Sequence, residues 1–432
     1  MYQLKTFCLW ACLLTAVCAN TPSKEMPRLK PTDWLSPSKL ESLKSVDDLT
    51  LHELENMSME KGIELMQHLY HLSQIKNPIQ PSFVPSPSNI PAYIIKPNGK
   101  NDSVPLNRLV EEVKKDRNFG SDEVTIFITG LPPHTKTVTK ATKKIVEAYE
   151  KRYNGNQGKN SDSRSKNQDS SSSSSEENSE EQWIQDSNNE RGNLIVIDLG
   201  AVLNSFKRLV MLDVKKTGDM IGKDIAQLSE EADIPADSLH IVAQGMAAHV
   251  AGAAARQYTR LTGHKIRRVT ALDPSKILAK NPNALNGLAR GDAKFVDAIH
   301  TSVYGMGTPD RVGDIDFYPN GPTNAIPGAE DLVEAAMRAT RYFAESVNPG
   351  KEHNFPAVAA RSLEEYRKNE GYGKRTYMGI DADCDLQGDY VLEVNSEAPF
   401  GKRAPARLQN LQHGQRHQWK NSHSNSYNTI KL

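Results

Sequence analysis

Cysteine is nearly absent from this chain once its first residues are set aside. Of four cysteines, Cys8, Cys12 and Cys18 crowd the N-terminus, and Cys384 alone stands in the remainder. One thiol closes no loop, so an internal disulfide framework is excluded and the fold must rest on its core, on assembly or on both. Net charge is missing too: 53 basic residues face 53 acidic ones, which removes any general attraction to nucleic acid or to an anionic membrane. Long apolar runs are lacking beyond the N-terminus. The run Phe7 to Val17 follows Lys5 and leads into Val17-Cys18-Ala19, a small-residue cleavage pattern. It is shorter than the ~20 residues that span a bilayer. Residues 1–19 therefore read as a signal peptide, and the rest as a secreted chain with no membrane span. Metal-ligand spacings such as H-E-x-x-H and C-x-x-C are absent, and Gly287 to Gly291 has no Lys-Ser/Thr to make a phosphate loop, so no cofactor is expected.

The apolar share, 38%, is lean enough that part of the chain should lie outside any core. Residues 20–104 read as a Pro/Ser-rich arm with one helix, from about residue 59 to 75, in which Ile63, Met66, Leu69 and Tyr70 share a face. Pro78, Pro81, Pro85, Pro87 and Pro91 follow and argue against regular structure. Residues 105–400 read as one α/β domain. Its β-branched runs, beginning at Val124, Asn193, Leu239, Arg268 and Lys294, alternate with helical patterns near 137–149, 217–231, 246–262 and 331–347. Such alternation implies a mostly parallel, doubly wound sheet. Within it, residues 154–191 include the run Asp169 to Glu181, DSSSSSSEENSEE. A segment so polar cannot bury enough surface to order itself and is expected to be a disordered acidic insertion. Residues 401–432 form a polar, basic tail.

The stretch Ala243-Gln244-Gly245-Met246-Ala247 lies between an apolar strand pattern and an Ala-rich helix pattern. α/β-Hydrolases place a nucleophilic serine in that setting, in the pattern G-x-S-x-G. Taken in order, Phe127 to Gly130, Ile195 to Asp198, His240 to Gly252, Ala271 to Pro274, Phe295 to Thr301, Asp316 to Gly321 and Arg338 to Val347 resemble the pancreatic-type lipases. The resemblance covers roughly residues 105–400 and implies an α/β-hydrolase fold. Lys265 to Lys276, Thr301 to Pro309 and the Ser/Glu-rich insertion are similar more closely to the yolk proteins of higher flies, secreted and catalytically inert relatives of lipases.

That resemblance allows the chemistry to be checked position by position. A serine hydrolase needs an attacking hydroxyl, an imidazole to take its proton and a carboxylate to orient the imidazole. The family's serine position is Gly245, which has no side chain. The family's aspartate position holds Asp273. The family's histidine lies two residues before the arginine of the Arg338 motif, which is Ala336. Thr129-Gly130 stands where lipases have His-Gly. With serine and histidine both missing, no catalytic residue is expected, and Asp273 reads as a carboxylate that caps a strand end or anchors a turn before Pro274. Loss of either partner alone costs roughly 10⁶ in turnover in a well-studied triad enzyme. Ser238 falls at the wrong end of its strand to substitute. His240 reads as a core or edge residue and His249 as structural, while His300 with Thr301 and Ser302 leaves a small opening for a new Ser/His pair. Seven residues separate Gly328 from Ala336, too few for a long lipase lid.

The resemblance implies a nutrient reserve, carried in haemolymph, bound by an oocyte endocytic receptor and stored in yolk granules. A second reading is a carrier with a lipid or steroid conjugate in the vestigial cleft; a third, an esterase with an unorthodox nucleophile, is the weakest. Assembly into homo- or hetero-oligomers with related yolk proteins fits the lack of disulfides. Ser173, Ser174, Ser175 and Ser179 lie next to or three residues before acids and are candidate phosphorylation sites. Asn56 and Asn101 open glycosylation sequons. Tyr390 is a weak sulfation candidate and reads better as a strand residue.

Overall fold

The structure is a computed structural model, and it describes residues 49–75, 81–96, 101–117, 119–133, 135–154, 192–277, 287–369 and 373–402. The signal peptide expected over 1–19, nearly all of the insertion expected over 154–191 with its four candidate serines, and the tail beyond residue 402 lie outside the described residues.

An 11-stranded sheet carries the domain. In chain order its strands are β1 (Pro91–Ile95), β2 (Asp102–Pro105), β3 (Glu123–Ile128), β4 (Gly192–Ile197), β5 (Leu239–Gln244), β6 (Arg268–Leu272), β7 (Phe295–Ile299), β8 (Ile315–Pro319), β9 (Pro356–Ala359), β10 (Arg375–Tyr377) and β11 (Gly388–Leu392). Across the sheet they run β10-β9-β11-β8-β7-β6-β5-β3-β4-β1-β2. The seven from β11 to β4 are parallel, and an antiparallel pair closes each side. Parallel strands covered on both faces read as continuous apolar runs, as in β3, EVTIFI, where all but the first residue are buried.

Helices cover both faces. One face takes Ile126, Ile128 and Ile241 against Ile221 and Ile225 of α6 (Val214–Glu231) and Val250 and Ala254 of α7 (Met246–Thr262). The other takes Phe127, Val196 and Val242 against Ile145 and Tyr149 of α4 (Lys136–Asn154) and Tyr342 and Phe343 of α8 (Leu332–Val347). Neighbouring residues of one strand thus serve opposite layers, as the period of two requires. This is the mostly parallel, doubly wound architecture that the sequence pattern implies. Five further helices complete the described set: α1 (Leu51–Glu55), α2 (Met59–Ile75), α3 (Leu109–Val113), α5 (Phe206–Val210) and α9 (Leu363–Asn369).

The N-terminal arm departs from its expected form. It holds two helices, α1 and α2 (Met59–Ile75), not one. Thr50 and Glu53 form a complete capping box on α1, a device that satisfies two otherwise orphaned amides and lets so short a helix start. The end of the proposed arm, moreover, belongs to the sheet. Pro91 opens β1, where a missing N–H breaks nothing, and its carbonyl accepts from the Asp198 amide at 2.8 Å. Ala92 and Ile94 alternate into the core. The prolines that argued against regular structure bound a strand here.

Candidate functional site

Strand β5 delivers the chain to its turn at Gln244, and α7 begins at Met246. Gly245 joins them at φ 54°, ψ −121°. That backbone is strained for any residue with a Cβ. The turn is pinned to the exit of β6: the Gly245 amide donates to Leu272 at 2.9 Å, and its carbonyl accepts from the Ser275 amide at 3.2 Å. A Cβ on Gly245 would stand 3.2 Å from Ser275 Oγ and 3.8 Å from Leu131 Cγ, room for a small side chain. The geometry of a nucleophile elbow is therefore present, with no nucleophile on it.

Asp273 follows β6 and also has a positive φ, 51°. Its carboxylate is buried and committed. Oδ1 accepts from the amides of Thr301 and Ser302, each at 2.8 Å, and Oδ2 accepts from Ser302 Oγ. Burial raises its pKa from the usual carboxylate value, against the pull of these three donors. Ser302 Oγ in turn accepts from the Gly307 amide at 2.9 Å. Asp273 thus clamps the loop that leaves β7. The same loop reaches Ala336, in the second turn of α8 and 3% exposed, through Thr301 Oγ1, which donates to the Ala336 carbonyl at 3.5 Å. Asp273, Thr301 and Ala336 are therefore successive links of one buried chain of contacts. The grip of Thr301 and Ser302 on Asp273 has no motif in the sequence.

Of the other candidate bases only His240 meets a hydroxyl, that of buried Thr270, whose proton is already given to Asp297. His300 directs Nδ1 to the Thr308 carbonyl at 3.1 Å and Nε2 to Asp316 Oδ1 at 2.8 Å, and stacks on Tyr318. It turns away from Ser302, so the new Ser/His pair is not formed. His249 accepts from the Leu288 amide through Nδ1 and donates through Nε2 to the Ser275 carbonyl at 2.7 Å, which fixes it as a neutral strut; burial lowers its pKa. His240 Nε2 lies 2.9 Å from Thr270 Oγ1, which donates to Asp297. Asp297 also receives the bidentate guanidinium of Arg268 at 2.8 Å on both arms. Ser238 sits in the turn before β5, at the far end of the sheet from Gly245. Among the described residues no group of three or more His, Cys, Asp or Glu is placed to hold a metal ion, and no helix is long and apolar enough to cross a membrane.

The arm lies over this end of the sheet. Glu55 accepts from the Thr137 amide after β3 at 3.3 Å, and Lys276, three residues past Asp273, sets its Nζ 3.8 Å from the centre of the Tyr70 ring. A Cβ on Gly62 of α2 would stand 3.0 Å from Cγ of Leu332, the first residue of α8, and Leu332 also fills the space beside Gly305 after β7. Leu54, Ile63 and Leu69 are buried in the core cluster that holds Leu131, Met246, Leu332 and Ala336. Leu332 and Ala336 are one turn apart on one helix face. A cleft of about 590 Å³ among Ala226, Ile234, Tyr258, Leu261 and Lys294 opens at the N-terminal end of β5. Of the modification candidates, Asn56 and Asn101 are exposed, with Asn56 donating to the His52 carbonyl at 2.7 Å. Tyr390 is fully buried in β11, which closes it to sulfation in the folded chain.

Residues 120–400 match the family model described as Lipase. The chain is 53% identical over 429 residues to Vitellogenin-1 of Ceratitis capitata, covering 97% of this chain and 98% of that relative. It is 49% identical over 420 residues to Vitellogenin-3 of Drosophila melanogaster, covering 96% and 99%, and 51% identical over 415 residues to Vitellogenin-2 of Ceratitis capitata, covering 96% and 98%.

Proposed function

Because this chain belongs to the lipase family and, within it, to the vitellogenins of flies, we propose that it is a secreted yolk storage protein, taken up by the oocyte through an endocytic receptor and later consumed by the embryo. It keeps the hydrolase scaffold and performs no hydrolysis. The observation that carries the reading is Gly245: the elbow conformation is held at φ 54° by a residue that offers no hydroxyl. Ala336, as the family's histidine position, offers no proton acceptor, and Asp273, with both oxygens turned to Thr301 and Ser302, orients a loop in place of an imidazole. A storage protein needs export, solubility and digestible peptide, none of which requires the triad.

The carrier reading draws less support, because the vestigial positions are buried beneath the protein's own arm. Residues 1–19 as an export signal, phosphate on Ser173, Ser174, Ser175 or Ser179, glycans on Asn56 or Asn101, and oligomers with related chains belong to the same proposal. Immunoblots of staged embryos test the reserve role. Abundance should fall steadily as development proceeds, and a constant level through hatching contradicts storage. A fluorophosphonate probe tests inertness: the folded protein should stay unlabelled.

A further inference from the structure

Helix α4 carries Lys136, Lys140, Lys143, Lys144, Lys151 and Arg152 against Glu147 and Glu150. Its apolar residues Ala141, Ile145, Ala148 and Tyr149 turn inward, while Lys136, Lys140, Lys143, Lys144 and Lys151 remain exposed. Spacings of three and four align these lysines along one side of the helix. Lys143 and Lys144 share a single carboxylate, Glu147, at 3.7 and 2.9 Å. Lys136 and Lys140 have no acidic partner among the described residues, and Lys151 adds its attraction to the same Glu147. Elsewhere on the surface, single bases meet single carboxylates: Lys215 with Asp219, Arg290 with Asp314, Arg367 with Glu393. The stripe keeps an excess of positive charge, five exposed lysines against Glu147 and Glu150.

We propose that this face is the docking surface for the chain's own acidic segment, Asp169 to Glu190. Three observations select that occupant. First, the charge is complementary: the segment holds seven Asp and Glu and no Lys or Arg. Second, its tether starts where the stripe ends. Residues 155–191 leave from the C-terminus of α4 and rejoin at β4, and the two junctions touch, since a Cβ on Gly192 would strike the Tyr153 ring. Third, the reach is sufficient. Fifteen residues from Asn154 to Asp169 extend to about 50 Å at ~3.3 Å per residue, against roughly 28 Å for the 19 residues of α4 at 1.5 Å each. Tethering keeps the effective concentration near the millimolar range, so individually weak surface ion pairs act together. Phosphate on Ser173 to Ser179 would add about −1.5 to −2 charges per site and tighten the contact.

The test is zero-length carbodiimide coupling of the intact secreted protein, read by mass spectrometry on a mixture of isotopically heavy and light chains. Amide links should join Asp169 or Glu176 to Glu181 with Lys136, Lys140, Lys143 or Lys144, within single chains. Their yield should fall about tenfold in 1 M salt, where the screening length shrinks to ~3 Å. A second reading uses cleavage of the segment by a Glu-specific protease. It should accelerate about tenfold when Lys136, Lys140, Lys143 and Lys144 are all changed to Gln, four exposed sites whose loss of surface pairing leaves the core intact. Absence of the links, links only between heavy and light chains, or unchanged cleavage in a variant that melts like the parent would each overturn the proposal.

Discussion

Gly245 sits at φ 54°, where a side chain is strained, yet its surroundings leave 3.2 Å to the nearest atom. Gly245→Ser should therefore fold, lose about 1–3 kcal/mol through the backbone, and hydrolyse no ester, because no imidazole faces it. Thermal melts and an ester assay check both halves, and turnover would contradict the reading of Ala336. Asp273→Ala removes the acceptor of two buried amides and one hydroxyl. Each orphaned donor costs on the order of 1–3 kcal/mol, so urea unfolding should show a loss of at least about 3 kcal/mol. An unchanged midpoint would mean that the carboxylate anchors nothing. His240 gives a pH dependence. Burial, aided by the Arg268 and Arg267 charges and opposed by Glu123, lowers its pKa to about 4, while the unfolded chain titrates near 6.5. The unfolded state then binds the extra proton first, so stability is fully present above pH ~6.5 and falls as pH drops toward 4, by about 3 kcal/mol from this group. Melts across that range should show a steeper loss of stability on acidification for the parent than for His240→Gln, which lacks the imidazole; equal slopes would contradict the assignment. The vacancy at 245 was legible because strand, small turn and Ala-rich helix frame it. The clamp on Asp273 was not, because its partners lie 28 and 29 residues away and no local pattern marks a long-range hydrogen bond.

Among the elements, those with strong period or apolar runs announced themselves: β3 to β7, α4, α6, α7 and α8 all stand within a few residues of their expected places. The sheet's flanks did not. Strand β1 hid behind prolines, β9 and β10 are four and three residues long, and β8, IDFYP, carries a buried Asp316 that its contacts with His300 and with the Val312 and Gly313 amides explain. The arm is the larger surprise, since amphipathicity shows that a helix must pack but not on what. Its position over Leu332 and the loop at Gly305 makes it the cover of the vestigial site, so the solvent should not reach position 245. In a Cys384→Ser background, the thiol of Gly245→Cys should react with maleimide at least about tenfold more slowly than an unfolded control, as a buried site closed by local stability would. Adding Gly62→Leu, which wedges α2 off Leu332, should speed it. Equal rates with and without the wedge would show that the arm is no cover.

At the scale of the whole molecule, seven parallel strands and two helical layers supply the core that a chain with one cysteine outside its expected export signal requires. Charged groups buried with the sheet, such as Arg268 and Asp297, are paired and hydrogen-bonded rather than left reactive. Nothing in that economy depends on turnover, and an intact fold with a filled mouth suits a protein that is accumulated and then digested. The direct test is to inject isotopically labelled protein into the haemolymph of egg-laying females and measure it in developing oocytes beside a labelled non-yolk protein of similar size. Strong enrichment of this chain in yolk granules is the predicted result, and exclusion to the level of the control would contradict storage.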